Sequence, residues 1–218
     1  MHDAPAKAYM HYMLQWARMQ EYVTAAVSLR KYSQGDLDGR YILFTERFGR
    51  MAGKAKSSRK ITSKLAPHLE PGTLLKVRFV EAHGTQIIDA LKERNADLSL
   101  RDLDHLAMVL PEGQPEPEIW RMVIEGRFSW RAALAVLGWD PEDAVCGACG
   151  VRQGAFFYIP RQDFFCAICV RKLPSITRQN AVLSLHVPLQ PERHMDEQGK
   201  SQSSPRSPIE GRGTEAGS

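Results

Sequence analysis

Val23-Thr24-Ala25-Ala26-Val27-Ser28-Leu29, then Tyr41-Ile42-Leu43-Phe44, then Arg50-Met51-Ala52-Gly53-Lys54-Ala55-Lys56-Ser57 is the stretch from which the fold class follows. In the first run Val23, Ala25, Val27 and Leu29 alternate with Thr24, Ala26 and Ser28, the period of a half-buried strand. A polar loop with Gly35, Asp36, Asp38 and Gly39 separates it from the second run, which Thr45 to Gly49 ends. In the third run, side-chain parity places Met51, Gly53 and Ala55 inward and Arg50, Lys54 and Lys56 on the opposite face. Working outward, Lys64 to Leu69 predicts a short helix stopped by Pro71-Gly72. Thr73 to Val80 then predicts a fourth strand with Leu75, Val77 and Phe79 on one face and Lys76 and Arg78 on the other. His83-Gly84 turns the chain into a fifth strand, Thr85 to Leu91. Five strands with one helix between the third and fourth is the element order of an OB-fold barrel. An SH3-like barrel shares the strand number, and the helix position favours the OB-fold.

Beyond Asn95 the apolar period becomes helical. Ser99 and Asp102 precede Leu103, Leu106, Ala107 and Leu110, ended by Pro111 and Gly113. Pro115 and Pro117 open a second helix carrying Ile119, Trp120, Val123 and Ile124, and Ser129 caps a third from Trp130 to Leu137, closed by Gly138. The expected class is α+β: an N-terminal five-stranded OB-fold β-barrel, then a small helical domain bearing a four-cysteine zinc site. The expected boundaries are an N-terminal extension over 1–20, the barrel over 21–95, the helical domain over 96–190 with the zinc site at 146–169, and a disordered tail over 191–218. Ala8 to Met19 is read as an amphipathic helix, and the Ser-, Gly-, Pro- and Glu-rich tail lacks the apolar residues needed to offset the entropy of ordering.

The chain has 218 residues, 43% hydrophobic and 25% charged, enough for one or two small domains. It has neither an apolar run of the ~18–20 residues that a membrane-spanning helix needs nor the pattern of a secretory signal. The expected location is therefore cytoplasmic. A formal charge of +4 is too weak to declare a partner, but its distribution is uneven. Between Arg40 and Lys64, eight basic residues stand against the single acid Glu46. Such a concentration focuses a field that attracts a polyanion, although a solvated loop gives the same run.

All four cysteines fall in one arrangement, Cys146-x2-Cys149 and Cys166-x2-Cys169, with sixteen residues between the pairs. Paired C-x2-C knuckles at this separation bring four thiolates around a tetrahedral ion, as in a zinc ribbon. Two disulfides or a redox pair are the competing readings; a cytosolic setting disfavours the first, and the second needs only one pair. Four thiolates leave no open coordination position, so one structural zinc is expected. Ala155 to Ile159 and Asp163 to Phe165 are expected to pair as a hairpin turning at Pro160.

No P-loop, dinucleotide-binding glycine motif, nucleophile elbow or zinc-deaminase pattern occurs, and the seven histidines show no ligand spacing. A binding protein is expected, not an enzyme. A cationic OB-fold face tracks phosphates with Lys and Arg and stacks bases on aromatic rings. The candidate nucleic-acid contacts are Arg47, Arg50, Lys54, Lys56, Arg59, Lys60, Lys64, Lys76 and Arg78. Tyr41 and Phe48 are the stacking candidates, and parity leaves open which ring faces outward. A generic OB-fold and zinc-ribbon RNA-binding or translation-associated module is the alternative reading.

The run Val27-Ser28-Leu29 through Asp36-x-Asp38, Leu43-Phe44-Thr45-x-x-x-Gly49, Ala55-Lys56-x-x-Arg59-x-x-x-Ser63-Lys64 and Leu69-x-Pro71 resembles the N-terminal domain of the bacterial recombination mediator family RecO. Leu137-Gly138-x-x-Pro141 leading into Cys146 is similar to that family's entry into its zinc site. The resemblance implies binding to single- and double-stranded DNA, annealing of complementary strands, and contact with the tail of single-stranded DNA-binding protein. It also implies cooperation with RecR so that RecA replaces that coat during DNA repair. The family's usual glycine after the Ala-Lys pair is Ser57 here, and its usual Glu before the loop Asp is Asp36. The part after the zinc site is short, which bears most on the contact with single-stranded DNA-binding protein. Residues before Met19 match nothing in the family, so Met19 is an alternative start.

Overall fold

The computed structural model describes residues 20–81, 84–152 and 154–185. Strands β1 (Gln20–Gln34), β2 (Asp38–Thr45), β3 (Gly49–Ala55), β4 (Thr73–Glu81) and β5 (Thr85–Asn95) close into a barrel in the order β1-β2-β3-β5-β4. All neighbours are antiparallel except β3 and β5, which meet through the single parallel pair Lys54–Gln86. The five-stranded barrel is the expected one. The segment between β3 and β4 contains a single 3₁₀ turn, Ala66–His68, where a short helix over 64–69 was expected. Its Pro67 removes a backbone donor, and Pro71 follows too soon for a second turn.

β1 is longer than its apolar core, and a bulge between Ser28 and Arg30 bends it so that it serves both β2 and β4. Its two faces are both buried at mid-strand. Ala26 joins Leu43, Leu75, Val77, Phe79 and Ile87 inside the barrel. Val27 and Leu29, with Ile42, Phe44 and Leu74, instead point outward into a second core. The half-buried alternation expected of β1 is thus not observed at mid-strand, where both faces are buried, and Val23 on the side of Val27 is half exposed. Parity in β3 and β4 holds: Gly53 packs against Ile87 and Phe79, while Lys76 and Arg78 face solvent.

The covering layer consists of α1 (Leu100–Val109), α2 (Pro117–Ile124) and α3 (Trp130–Val136). Ser99 and Ser129 cap α1 and α3, their hydroxyls accepting the Asp102 and Ala132 N–H groups. Leu103, Leu106, Leu110, Ile119, Trp120 and Val123 lie on the outward apolar flank of β1 and β2, with Trp120 meeting Phe44 edge to face. Arg30 pairs with Asp104 of α1 at the border of this contact.

A three-stranded sheet follows, with β6 (Phe156–Tyr158) between β7 (Asp163–Phe165) and β8 (Val182–Ser184). The β6–β7 hairpin is the expected one and turns through Ile159–Arg161, which contains Pro160. Short helices α4 (Ala167–Val170) and α5 (Ser175–Ala181) precede β8. Phe157 packs against Trp139 and Phe164, joining the sheet to the segment after α3. The expectations for 8–19, His83 and the tail from Pro191 lie outside the described residues.

Candidate nucleic-acid interface and metal centre

The four cysteine sulfurs converge, all within 4.8 Å of one another. Cys146 and Cys149 sit on one tight knuckle, in which the Cys149 and Gly150 N–H groups donate to the Cys146 carbonyl. Cys166 and Cys169 sit at the start of α4, where the Cys169 N–H points at the Cys166 sulfur at 3.4 Å. Gly147 lets the first knuckle lie against the hairpin: a Cβ there would stand 2.0 Å from the Asp163 carboxylate, and the Gly147 N–H donates to the Phe164 carbonyl. All four thiols are free, with Cys149 Sγ and Cys166 Sγ at 3.8 Å.

Electrostatics within the cluster are uneven. Burial pushes the Cys146 thiol up, but the backbone N–H groups of Cys166, Ala148 and Cys149 outweigh it and bring it down to about 6. The Cys166 thiol is lowered chiefly by the Cys169 N–H. Cys169, against the sulfurs of Cys149 and Cys166, is pushed up to about 12. Four crowded thiols cannot all ionise without a cation to neutralise them, and a divalent ion supplies that charge. The set fits a closed metal site with no room for a substrate.

The candidate cations fall into three groups. Arg47 and Arg50 lie at the β2–β3 turn, and Arg50 is about 13 Å along β3 from Lys54. Arg47 lies over the Phe48 ring at 5.2 Å, and Phe48 is itself half-buried against the edge of Tyr22. Arg50 is turned to the helical layer: its Nε donates to the Leu110 carbonyl at 2.8 Å and its guanidinium stands 3.6 Å from Glu112. Lys76 and Arg78 on β4 are each matched by an acid, Glu93 at 3.9 Å and Glu21 at 3.1 Å.

Lys54, Lys56, Arg59, Lys60 and Lys64 form the third group, at the other end of β3 and on the chain that leaves it. Lys54 Nζ lies 2.8 Å from Asp38 Oδ2. Arg59 is fixed by its guanidinium on the Gly35 carbonyl and by its own N–H on the Leu37 carbonyl. Lys56, Lys60 and Lys64 are exposed and form no ion pair among the described residues.

Register adds three residues that sequence reasoning did not select as contacts, Tyr32, Arg40 and Gln86. Tyr32 pairs with Arg40, Arg40 with Lys54, and Lys54 with Gln86. Cross-strand partners share a face, so Tyr32, Arg40, Lys54 and Gln86 form one row across four strands of the outer barrel surface. The neighbouring row, Arg30, Ile42 and Ala52, is covered by α1 and its companions. Of the stacking candidates, Tyr41 is only 4% exposed and belongs to the barrel interior, and the exposed ring on this face is Tyr32. Arg40 was visible as part of the basic run; Tyr32 carried no signal without the register.

A closed five-stranded barrel with a cationic outer row, followed by helices and a four-thiol cluster that could hold a metal ion, has the architecture of an OB-fold joined to a small helical domain. Residues 19–94 match the family model described as "Recombination protein O N terminal". The barrel is thus similar to a RecO N-terminal domain, in agreement with the resemblance read from the sequence. The chain is also 28% identical over 152 residues to the DNA repair protein RecO of Syntrophobacter fumaroxidans, a match covering 58% of this chain and 61% of that protein. The match thus spans about three fifths of the curated relative's length. Among the described residues, no helix is long and apolar enough to cross a membrane.

Proposed function

We propose that this chain is a DNA-binding recombination mediator that anneals complementary single strands and, with RecR, helps RecA displace single-stranded DNA-binding protein during DNA repair. The observation that carries the reading is the row Tyr32-Arg40-Lys54-Gln86 with Lys56, Lys60 and Lys64 beside it, on a barrel of the RecO N-terminal family. Lysines and arginines along a sheet neutralise a phosphate backbone without reading bases, and an exposed tyrosine gives a base a ring to stack on. Annealing needs two backbones brought together and no bond made or broken, so the chain acts by binding and not as an enzyme. It would act in the cytoplasm, on the nucleoid.

The four-thiolate centre suits one structural zinc ion, held by Cys146, Cys149, Cys166 and Cys169. Its chemistry is to cross-link the small sheet. An arginine-rimmed cleft of about 340 Å³ beside that sheet suits the acidic tail of single-stranded DNA-binding protein: Val170 and Val182 supply an apolar floor, and Arg101, Arg171 and Arg178 the cations. The Arg178 Nε there is buried with no hydrogen-bond partner among the described residues.

The test is annealing of two complementary oligonucleotides, bare or pre-coated with single-stranded DNA-binding protein. Acceleration on coated strands, lost on Arg178→Ala, is the expected result. Acceleration on bare strands alone removes the coat protein from the partners. None on either overturns the annealing reading in favour of the RNA-binding alternative.

A further inference from the structure

The β1–β2 hairpin runs on past the barrel, pairing Lys31 with Tyr41 and Ser33 with Gly39. The chain between β3 and β4 folds across this extension, and Ser28 and Lys31 hold it there. The Ser28 hydroxyl donates to the Leu69 carbonyl at 2.8 Å, and Lys31 Nζ reaches both Glu70 oxygens at 2.6 and 2.8 Å. Between hairpin and cover lies a cleft of about 330 Å³, lined among others by Tyr32, Ser33, Gly39, Tyr41, Ser58 and Arg59. That is the small end of the range for small-molecule clefts.

Three observations point to an occupant. Ser58 is 2% exposed, yet its Oγ has no hydrogen-bond partner among the described residues, a rare state for a buried hydroxyl. Tyr41, only 4% exposed, lines the same cleft with its ring beside Ser58. Gly39 keeps the two close: a Cβ there would lie 2.6 Å from Ser58 Oγ and 2.7 Å from Tyr41 Cε2. The two cations of the cleft are already engaged, Lys31 by Glu70 and Arg59 by the Gly35 carbonyl at 2.9 Å. Recognition therefore falls to hydroxyls and aromatic rings, which suit a flat, neutral, hydrogen-bonding heterocycle better than a phosphate. Tyr32 lines this cleft while its ring lies on the outer face beside Arg30, so cleft and outer row lie on either side of the same hairpin extension, around whose end a strand on the row could reach.

We infer that this cleft takes one nucleobase, turned out of a strand that lies along the Tyr32-Arg40-Lys54 row. The inference rests on the nucleic-acid reading above for the source of the base. Ser58 Oγ and the Tyr41 hydroxyl hydrogen-bond its polar edge, and the everted base leaves its neighbours unstacked, which slows refolding of that strand on itself and presents it for pairing.

The test uses the full chain with two probes. Free dAMP and dTMP are titrated against the amide resonances of Gly39, Ser58 and Tyr41, with inorganic phosphate as the control. An oligonucleotide carrying one 2-aminopurine reports unstacking through its fluorescence. Both nucleotides should shift those amides where phosphate does not, and the oligonucleotide should brighten on binding. Ser58→Ala, which only removes a partnerless hydroxyl, should weaken nucleotide binding about two- to tenfold while leaving the fold intact. Ser33→Trp should fill the cleft and abolish both signals without changing the salt dependence of oligonucleotide binding. Equal shifts with phosphate, no shifts with nucleotide, or undiminished brightening in Ser33→Trp would each overturn the base cleft while leaving the cationic row in place. Nucleotide shifts in a protein that binds no oligonucleotide would instead overturn the strand path and leave the cleft as a site for a free nucleotide.

Discussion

The Asp38 carboxylate joins two separate parts of the cationic region: its Oδ2 stands 2.8 Å from Lys54 Nζ while its Oδ1 accepts the Ser57 N–H at 2.8 Å. These contacts, Lys54 first and the Ser57 amide second, hold the carboxyl below its ordinary 3.8. The stabilisation is complete above that value and is lost as pH falls through the lowered folded pKa. Asp38→Asn keeps an acceptor for Ser57 but releases Lys54. The slope of log K against log[salt] for a single-stranded oligonucleotide should steepen by ~0.7, one further phosphate contact. A slope equal to that of the native protein removes Lys54 from the interface.

Lys56, Lys60 and Lys64 form no ion pair among the described residues, whereas Arg78 faces Glu21. Replacing the three lysines together by alanine should flatten the same slope by ~2 and weaken binding alike on every sequence tested. Arg78→Ala should leave it unchanged. A salt titration of fluorescence anisotropy separates the two, and flattening in Arg78→Ala would enlarge the binding face to include β4.

Elemental analysis should return one zinc per chain. Cys166→Ser should lose it and melt the β6-β7-β8 sheet, whose cluster is built around Cys146, Cys166 and Cys169. The barrel resonances should persist, because its interior contains no residue from that sheet. A metal-free Cys166→Ser protein with the sheet intact would make the metal dispensable.

His105 is buried on α1 with its ring 6.0 Å from that of Trp130, and burial first, then the charge of Arg101, keeps its pKa below the ordinary 6.5; Asp102 and Asp104 oppose the shift. The fold therefore prefers neutral imidazole. Its stability is full above pH 6.5 and declines as pH falls from there towards the lowered folded value, because the unfolded chain takes up the proton first. Melting temperatures of native and His105→Phe proteins, compared between pH 7.5 and 5, should converge or cross as the native protein loses stability. Parallel curves would show that His105 does not titrate in that range.

Ser57 has φ +55°, a left-handed conformation that costs an L-residue roughly 1–2 kcal/mol. Ser57→Gly removes that strain at the cost of a more flexible unfolded chain, so urea denaturation should show a gain of up to about 1 kcal/mol. A loss would mean that the Ser57 side chain contributes more than its backbone costs.

The barrel was legible because its signals are local: period-two apolar runs in β3 and β4, and punctuation by Gly35, Gly39, Pro71-Gly72 and Gly84. The cysteine cluster was legible because the spacing of the two C-x2-C pairs alone predicts that their sulfurs converge. The inner face of β1 was not legible, because Ala26 and Val27 are both fully buried and only the helical layer determines which looks into the barrel. Charge count found the cationic region but not its pairing, since Arg50 is tied to Leu110 and Glu112, and Arg78 to Glu21, across long stretches of chain. Tyr41 and Tyr32 differ by register alone: adjacent strands turn one ring inward and the other out.

Because Val27, Leu29, Ile42, Phe44 and Leu74 look away from the barrel into the helical layer, a fragment ending at Asn95 would carry an oily flank with nothing to cover it. Such a fragment would self-associate, so the barrel of this chain is not a portable module. Grafting it onto another protein requires bringing α1 to α3 along, and dissecting the two halves genetically calls for point substitutions in place of truncations.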